Sequence, residues 1–140
     1  MTPEGYEYFD VAADVGVSAW GQDVPECLRQ CALGVFNLIV PTDAVEPAES
    51  REVAARGGSI EGLLVDWLNE CLYVHDVEGF VVADVTRPEI TPTGVHAVLR
   101  GEPFDLTRHP RGTLVKAATF HGLEVKQEPG RVSARVVLDI

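Results

Sequence analysis

The stretch from Ser59 to His75 constrains the fold more than any other part of the chain. Ile60, Leu63, Leu64, Trp67, Leu68, Cys71, Leu72 and His75 keep the i, i+3, i+4, i+7 register of an amphipathic helix over about three turns. Ser59 precedes the first of them, where a side-chain oxygen can accept from an amide of the first turn. From Gly79 onward the apolar period drops to two. The runs "FVVADV", "GVHAVLRG", "TLVKAATF", "LEVKQ" and "RVSARVVLDI" are rich in β-branched residues and separated by Pro and Gly, so the second half is predicted to be mainly strand.

The first half adds a second helix and more strand. Tyr6 to Val11 and Val15 to Gly21 are predicted strands joined or interrupted by a short loop at "AAD", which leaves Asp14 at a strand edge. In "DVPECLRQCALGVFNLIV" Asp23 can cap, Pro25 is tolerated in the first turn, and Val24, Cys27, Leu28, Cys31, Val35, Leu38 and Ile39 form one buried stripe. "PTDAVEPAES" reads as a surface connection and "REVAAR" as a short strand. The turn "QEPGRV" favours an antiparallel hairpin at the end of the chain. With 140 residues, 46% apolar and 24% charged, the chain is expected to form one α+β domain, its two helices packed on one face of a mainly antiparallel sheet.

Acidic residues outnumber basic ones by 22 to 11, so the field of the whole molecule opposes phosphate backbones and no direct nucleic-acid binding is expected. Such a surface suits a divalent cation, or a basic patch on a protein partner that itself handles nucleic acid. Cys27, Cys31 and Cys71 are odd in number and lack CxxC spacing, no apolar run reaches membrane length, and the N-terminus lacks the features of a signal peptide. A reducing cytoplasm is the expected compartment.

The thiols fall on apolar helix faces and are expected to pack in the core. His75 continues a buried stripe, His96 and His109 have no ligand spacing, and His121 in "TFHGLEV" fits either a structural bond or a functional contact. "ARGGS" lacks the Lys and the glycine spacing of a phosphate loop. Lys116 shares a predicted strand row with Leu114, Ala118 and Phe120, as a snorkelling edge residue or a placed cation. Carboxylates remain: Asp10, Asp14, Asp66, Asp76 and Asp139 are candidates for a hard divalent ion, and pattern alone does not choose among them. In the last strand Arg131, Ser133, Arg135, Val137 and Asp139 alternate with Val132, Ala134, Val136 and Leu138, which puts Asp139 in the more polar row.

Four stretches in order, "YEYFDVAADVGVSAWG", "LLVDWLNECLYVHDVEGF", "RGEPFDLTRHPRGTLVKAATFHGLEV" and "ARVVLDI", resemble the archease family and cover most of the chain. The resemblance implies a small acidic α+β protein that is not itself an enzyme. It implies a cofactor of an RtcB-type RNA ligase in tRNA splicing and RNA repair, promoting guanylylation of the ligase and repeated turnover. It also implies a divalent-metal site built from Asp14, Asp139 and Ile140, with calcium the expected ion and magnesium or manganese the alternatives. Asp10, Lys116 and His121 are further candidate contacts. Val11 and Ala12 depart from the family, which has His-Thr at these positions. Two other readings use the same residues: a small metal-dependent hydrolase of nucleotides or phosphates, and a general chaperone or scaffold.

Overall fold

Both helices begin at the residues whose side chains can cap them. Asp23 accepts from the Glu26 amide at 3.0 Å and Ser59 from the Gly62 amide at 3.0 Å, and Gly79, left-handed at φ 64°, closes the second helix through its amide on the His75 carbonyl. The computed structural model describes residues 2–140. In chain order these form β1 (Gly5–Val11), β2 (Asp14–Gly21), α1 (Val24–Ile39), a 3-10 turn (Thr42–Ala44), β3 (Glu49–Arg56), α2 (Ile60–Glu78), β4 (Phe80–Val85), β5 (Glu89–Ile90), β6 (Gly94–Pro103), β7 (Ala117–Glu128) and β8 (Arg131–Asp139).

The strands are divided between two antiparallel sheets, a subdivision that the alternation of residues does not carry. The first has the order β1-β2-β8-β7. The second has β3-β6-β4, with the two-residue β5 also on β6. In the first sheet the closing hairpin folds back so that β8 lies against β2, which brings the end of the chain beside its beginning.

Each helix touches both sheets: α1 lies on β2 and β4, α2 on β3 and β7. A single buried stripe therefore does not describe α1, because none of its residues is exposed. Its polar side chains are satisfied inside instead. Arg29 donates to Glu26 at 3.0 Å, to Asp84 at 2.8 Å and to the Val85 carbonyl at 2.6 Å, and Gln30 donates to Glu26 at 2.9 Å. The core between the sheets includes Trp67, Phe36, Phe80, Leu64, Leu68, Leu99 and Leu138, with the Trp67 indole donating to the Leu28 carbonyl at 2.8 Å. Cys27, Cys31 and Cys71 are free and buried, and burial pushes the Cys71 thiol up. Among the described residues no helix is long and apolar enough to cross a membrane.

One predicted strand is shortened. "TLVK" is not part of β7, which begins at Ala117, because the Gly112 and Thr113 amides are committed to the Ile39 and Leu38 carbonyls at the end of α1, at 2.9 and 2.7 Å. Val115 buries its side chain and anchors the segment, and Lys116 precedes the strand with its side chain exposed. Pairing between β7 and β8 is also interrupted between Thr119 and Glu124, so Phe120 to Leu123 bulge out, with Gly122 left-handed at φ 64°.

Candidate functional site

The outer face of the first sheet carries the residues with the least structural employment. The last paired positions of β2 and β8 are Val15 and Leu138, so Asp14 and Asp139 are the next residues out on neighbouring strands. Two-residue alternation turns both side chains to the face that also carries Gly16 and Val137, away from the helices. Asp14 is half-buried, and Asp139 and Ile140 are exposed. Among the described residues neither carboxylate has an ion pair or a side-chain hydrogen bond. The main chain there is held firmly, since the Lys116 amide donates to the Asp139 carbonyl at 2.8 Å and Ala117 pairs with Asp139. Two unpartnered carboxylates on adjacent strands repel one another, and hard oxygens of this kind suit a divalent ion. Among the described residues no three His, Cys, Asp or Glu side chains form a metal cluster. Ile140, the third ligand that the family resemblance implies, follows Asp139 directly and is exposed.

Asp14 owes its place to a tight turn. Val11 pairs with Asp14, leaving only Ala12 and Ala13 to reverse the chain, and Ala12 takes φ 49°, in the left-handed region that L-residues other than Asn and Asp rarely enter. Of the other sequence candidates, Lys116 adjoins the pair through its amide on the Asp139 carbonyl, whereas Asp10, His121 and Asp66 are placed differently. Asp10 pairs with Val15 and so points to the opposite face from Asp14. His121 is exposed in the bulge of β7. Asp66 accepts from the Arg56 amide at 2.8 Å and ties α2 to β3.

A buried polar group forms around His109, a residue that in the sequence shows only the lack of a ligand spacing. His109 has no side-chain exposure, and its Nε2 lies 2.8 Å from Glu102, whose carboxylate also accepts from both terminal nitrogens of Arg108 and from the Glu46 amide. Nδ1 of His109 accepts from the Asp105 amide at 2.8 Å, which puts the imidazole proton on Nε2 and makes it the donor to Glu102. Arg108, the Glu46 amide and His109 hold the Glu102 carboxyl down at about 2. All its partners come from the loop after β6 and the segment before β3, so this group staples loops. Only the geometry reveals it, because "RHPRG" has the composition of any exposed turn.

Two antiparallel sheets enclosing a pair of helices, with an acidic pair on the rim of the sheet that joins both ends of the chain, define a small α+β class. The sequence profile of the Archease protein family matches residues 6–140. Protein archease of Methanopyrus kandleri is 38% identical over 138 residues, covering 96% of this chain and 99% of the relative. Protein archease-like of Drosophila melanogaster is 32% identical, covering 96% and 90%. The solution structure of Methanobacterium thermoautotrophicum protein 1598 superposes with a TM-score of 0.79 at 37% identity, covering 97% of this chain and 99% of that one. The chain belongs to the archease family.

Proposed function

We propose that this protein is a non-enzymatic activator of an RtcB-type RNA ligase in tRNA splicing and RNA repair, promoting guanylylation of the ligase and its repeated turnover. One observation carries the reading: Asp14 and Asp139 lie side by side on the rim of the sheet, next to Ile140 and without a protein partner among the described residues. Their carboxylates and a main-chain oxygen of Ile140 would hold a divalent ion, with calcium the expected one and magnesium or manganese the alternatives. When bound, the ion supplies the positive charge that these oxygens lack. The protein's own contribution is to fix the donors: the Ala12–Ala13 turn sets Asp14, and the Lys116 amide and Ala117 set Asp139.

Among the described residues no side chain is hydrogen-bonded or ion-paired to the acidic pair, which favours a presenting role over a hydrolytic one. Single-turnover guanylylation of an RtcB-type ligase, with catalytic amounts of this protein, tests the reading through the yield of covalent GMP. Wild type is expected to stimulate, and Asp139→Ala or a chain extended beyond Ile140 to fold without stimulating. Equal stimulation by the extended chain would refute the reading.

A further inference from the structure

The outer face of the first sheet repeats one arrangement twice. Phe9 lies across its cross-strand partner Gly16, where an added Cβ would stand 2.1 Å from the ring, and the Arg135 guanidinium covers the ring at 3.9 Å. Trp20 lies across its partner Gly5, where an added Cβ would be 3.0 Å away, and Arg131 sits over that ring at 5.6 Å. The two layers of glycine, ring and guanidinium are offset by four residues along β8, about 13 Å at strand rise. Each arginine has a glutamate directly opposite on β7, Glu124 for Arg135 and Glu128 for Arg131, yet forms no ion pair with it. Among the described residues neither guanidinium makes a hydrogen bond or an ion pair, whereas Arg29, Arg51, Arg87 and Arg108 all do.

Between the two arginines lie Ser133 and its partner Lys126, and together with Ser18 and Trp20 they line a groove of about 550 Å³. The ammonium and both hydroxyls also have no protein partner among the described residues. The cations form a zigzag across β8 and β7, Lys126 standing between Glu124 and Glu128 on its own strand, and Glu7 on β1 closes the other side of the groove. A duplex or a broad polyanion would cover all three glutamates at once, whereas a single extended strand follows the narrow line of cations and passes the glutamates at its edges. A guanidinium stacked on a ring keeps its in-plane donors free for phosphate, has already lost rotamer freedom, and offers its outer plane to a base. The same row of β8 continues another four residues to Asp139, so the strip leads to the acidic pair.

We infer that this strip binds a short single-stranded nucleic-acid segment, with phosphates on Arg131, Lys126 and Arg135 and bases stacked on the two ring-backed guanidiniums. The overall charge of -11 keeps the binding weak and local. With three cations engaged, log K should fall with log salt at a slope of about -2, and at about -1.4 once one arginine is removed.

The test titrates the isotope-labelled full chain with hexauridylate at low salt, follows amide shifts, and needs no ligase, so it succeeds or fails independently of the activator reading. Shifts are expected on outer-row residues of β2, β7 and β8, with affinity reduced about tenfold in Arg131→Ala and in Arg135→Ala while the remaining spectrum is unchanged. Phe9→Leu keeps every charge and is expected to weaken binding by removing one platform. Absence of shifts, shifts confined to other surfaces, or affinity untouched by both arginine variants would overturn the inference. An oligoglutamate peptide of equal charge that binds as tightly would also overturn it, by marking the strip as a docking site for an acidic protein segment.

Discussion

Asp139→Asn should make the protein more stable in a chelator and less responsive to calcium. Side chains directly adjacent on antiparallel strands have Cβ atoms about 5 Å apart. Two unit charges at that distance repel by about 1 kcal/mol in water, and somewhat more where one is half-buried, as Asp14 is. Asparagine removes this repulsion without changing shape and leaves the main-chain bond from Lys116 to the Asp139 carbonyl intact. For a domain of this size a gain of 1 kcal/mol raises Tm by about 4 °C. Calcium at a hundredfold excess over its Kd would stabilise the wild type by about 2.7 kcal/mol through binding to the folded state alone. The two proteins should therefore exchange order in calorimetry, the variant melting higher in EDTA and the wild type higher in calcium. In about 1 M salt the EDTA difference should shrink, because screening acts over about 3 Å there. A variant that melts lower than wild type in EDTA would show that Asp139 has a favourable partner. An equal response of both proteins to calcium would place the ion elsewhere.

Two other outcomes follow from groups outside the pair. The Glu102 carboxyl is lowered from 4.5 to about 2, so its contribution is complete above about 4.5 and is lost as pH falls from there toward 2. Urea midpoints of the wild type should decline across that interval, while Glu102→Gln should cost about 3 kcal/mol at neutral pH and flatten the decline; a Glu102→Gln profile as steep as wild type would assign acid sensitivity to other carboxylates. Ala12→Gly should raise stability by about 0.5 kcal/mol in thermal melts, the relief of left-handed strain at φ 49° exceeding the added freedom of the unfolded chain, and a loss would mean that the Ala12 methyl makes a favourable contact.

Local chemistry was readable wherever it acts over a few residues. The caps at Asp23 and Ser59, the register of α2, the closing hairpin and the polar row holding Asp139 all follow from short-range spacing. Pairing of strands far apart in sequence does not, because alternation reports which face a residue occupies and not which strand lies beside it. That Asp14 and Asp139 are neighbours follows from β8 returning to β2, and only the family resemblance implied it. The covering of α1 on every side was hidden by Arg29 and Gln30, whose polarity suggests solvent, while Asp84 and the Val85 carbonyl, over fifty residues away, satisfy Arg29, and Glu26 on the same helix satisfies Gln30. The same holds for His109, whose partner Glu102 stands at the end of β6 and is met only because the following loop folds back over it. In "TLVK" the β-like composition was real, but the C-terminal end of α1 claims the Thr113 amide and that of Gly112 before it.

The enclosure of α1 also governs how the molecule can come apart. A helix covered on one side by β2 and on the other by β4 cannot detach without exposing Phe36, Val35 and Leu28 together with the inner faces of both sheets. Partial openings that release it are therefore about as costly as complete unfolding, and its amides should exchange with solvent at the rate of that global event. The described residues should therefore open as one cooperative unit, leaving the side chains on the outer sheet face and the loops around it as the parts that adjust.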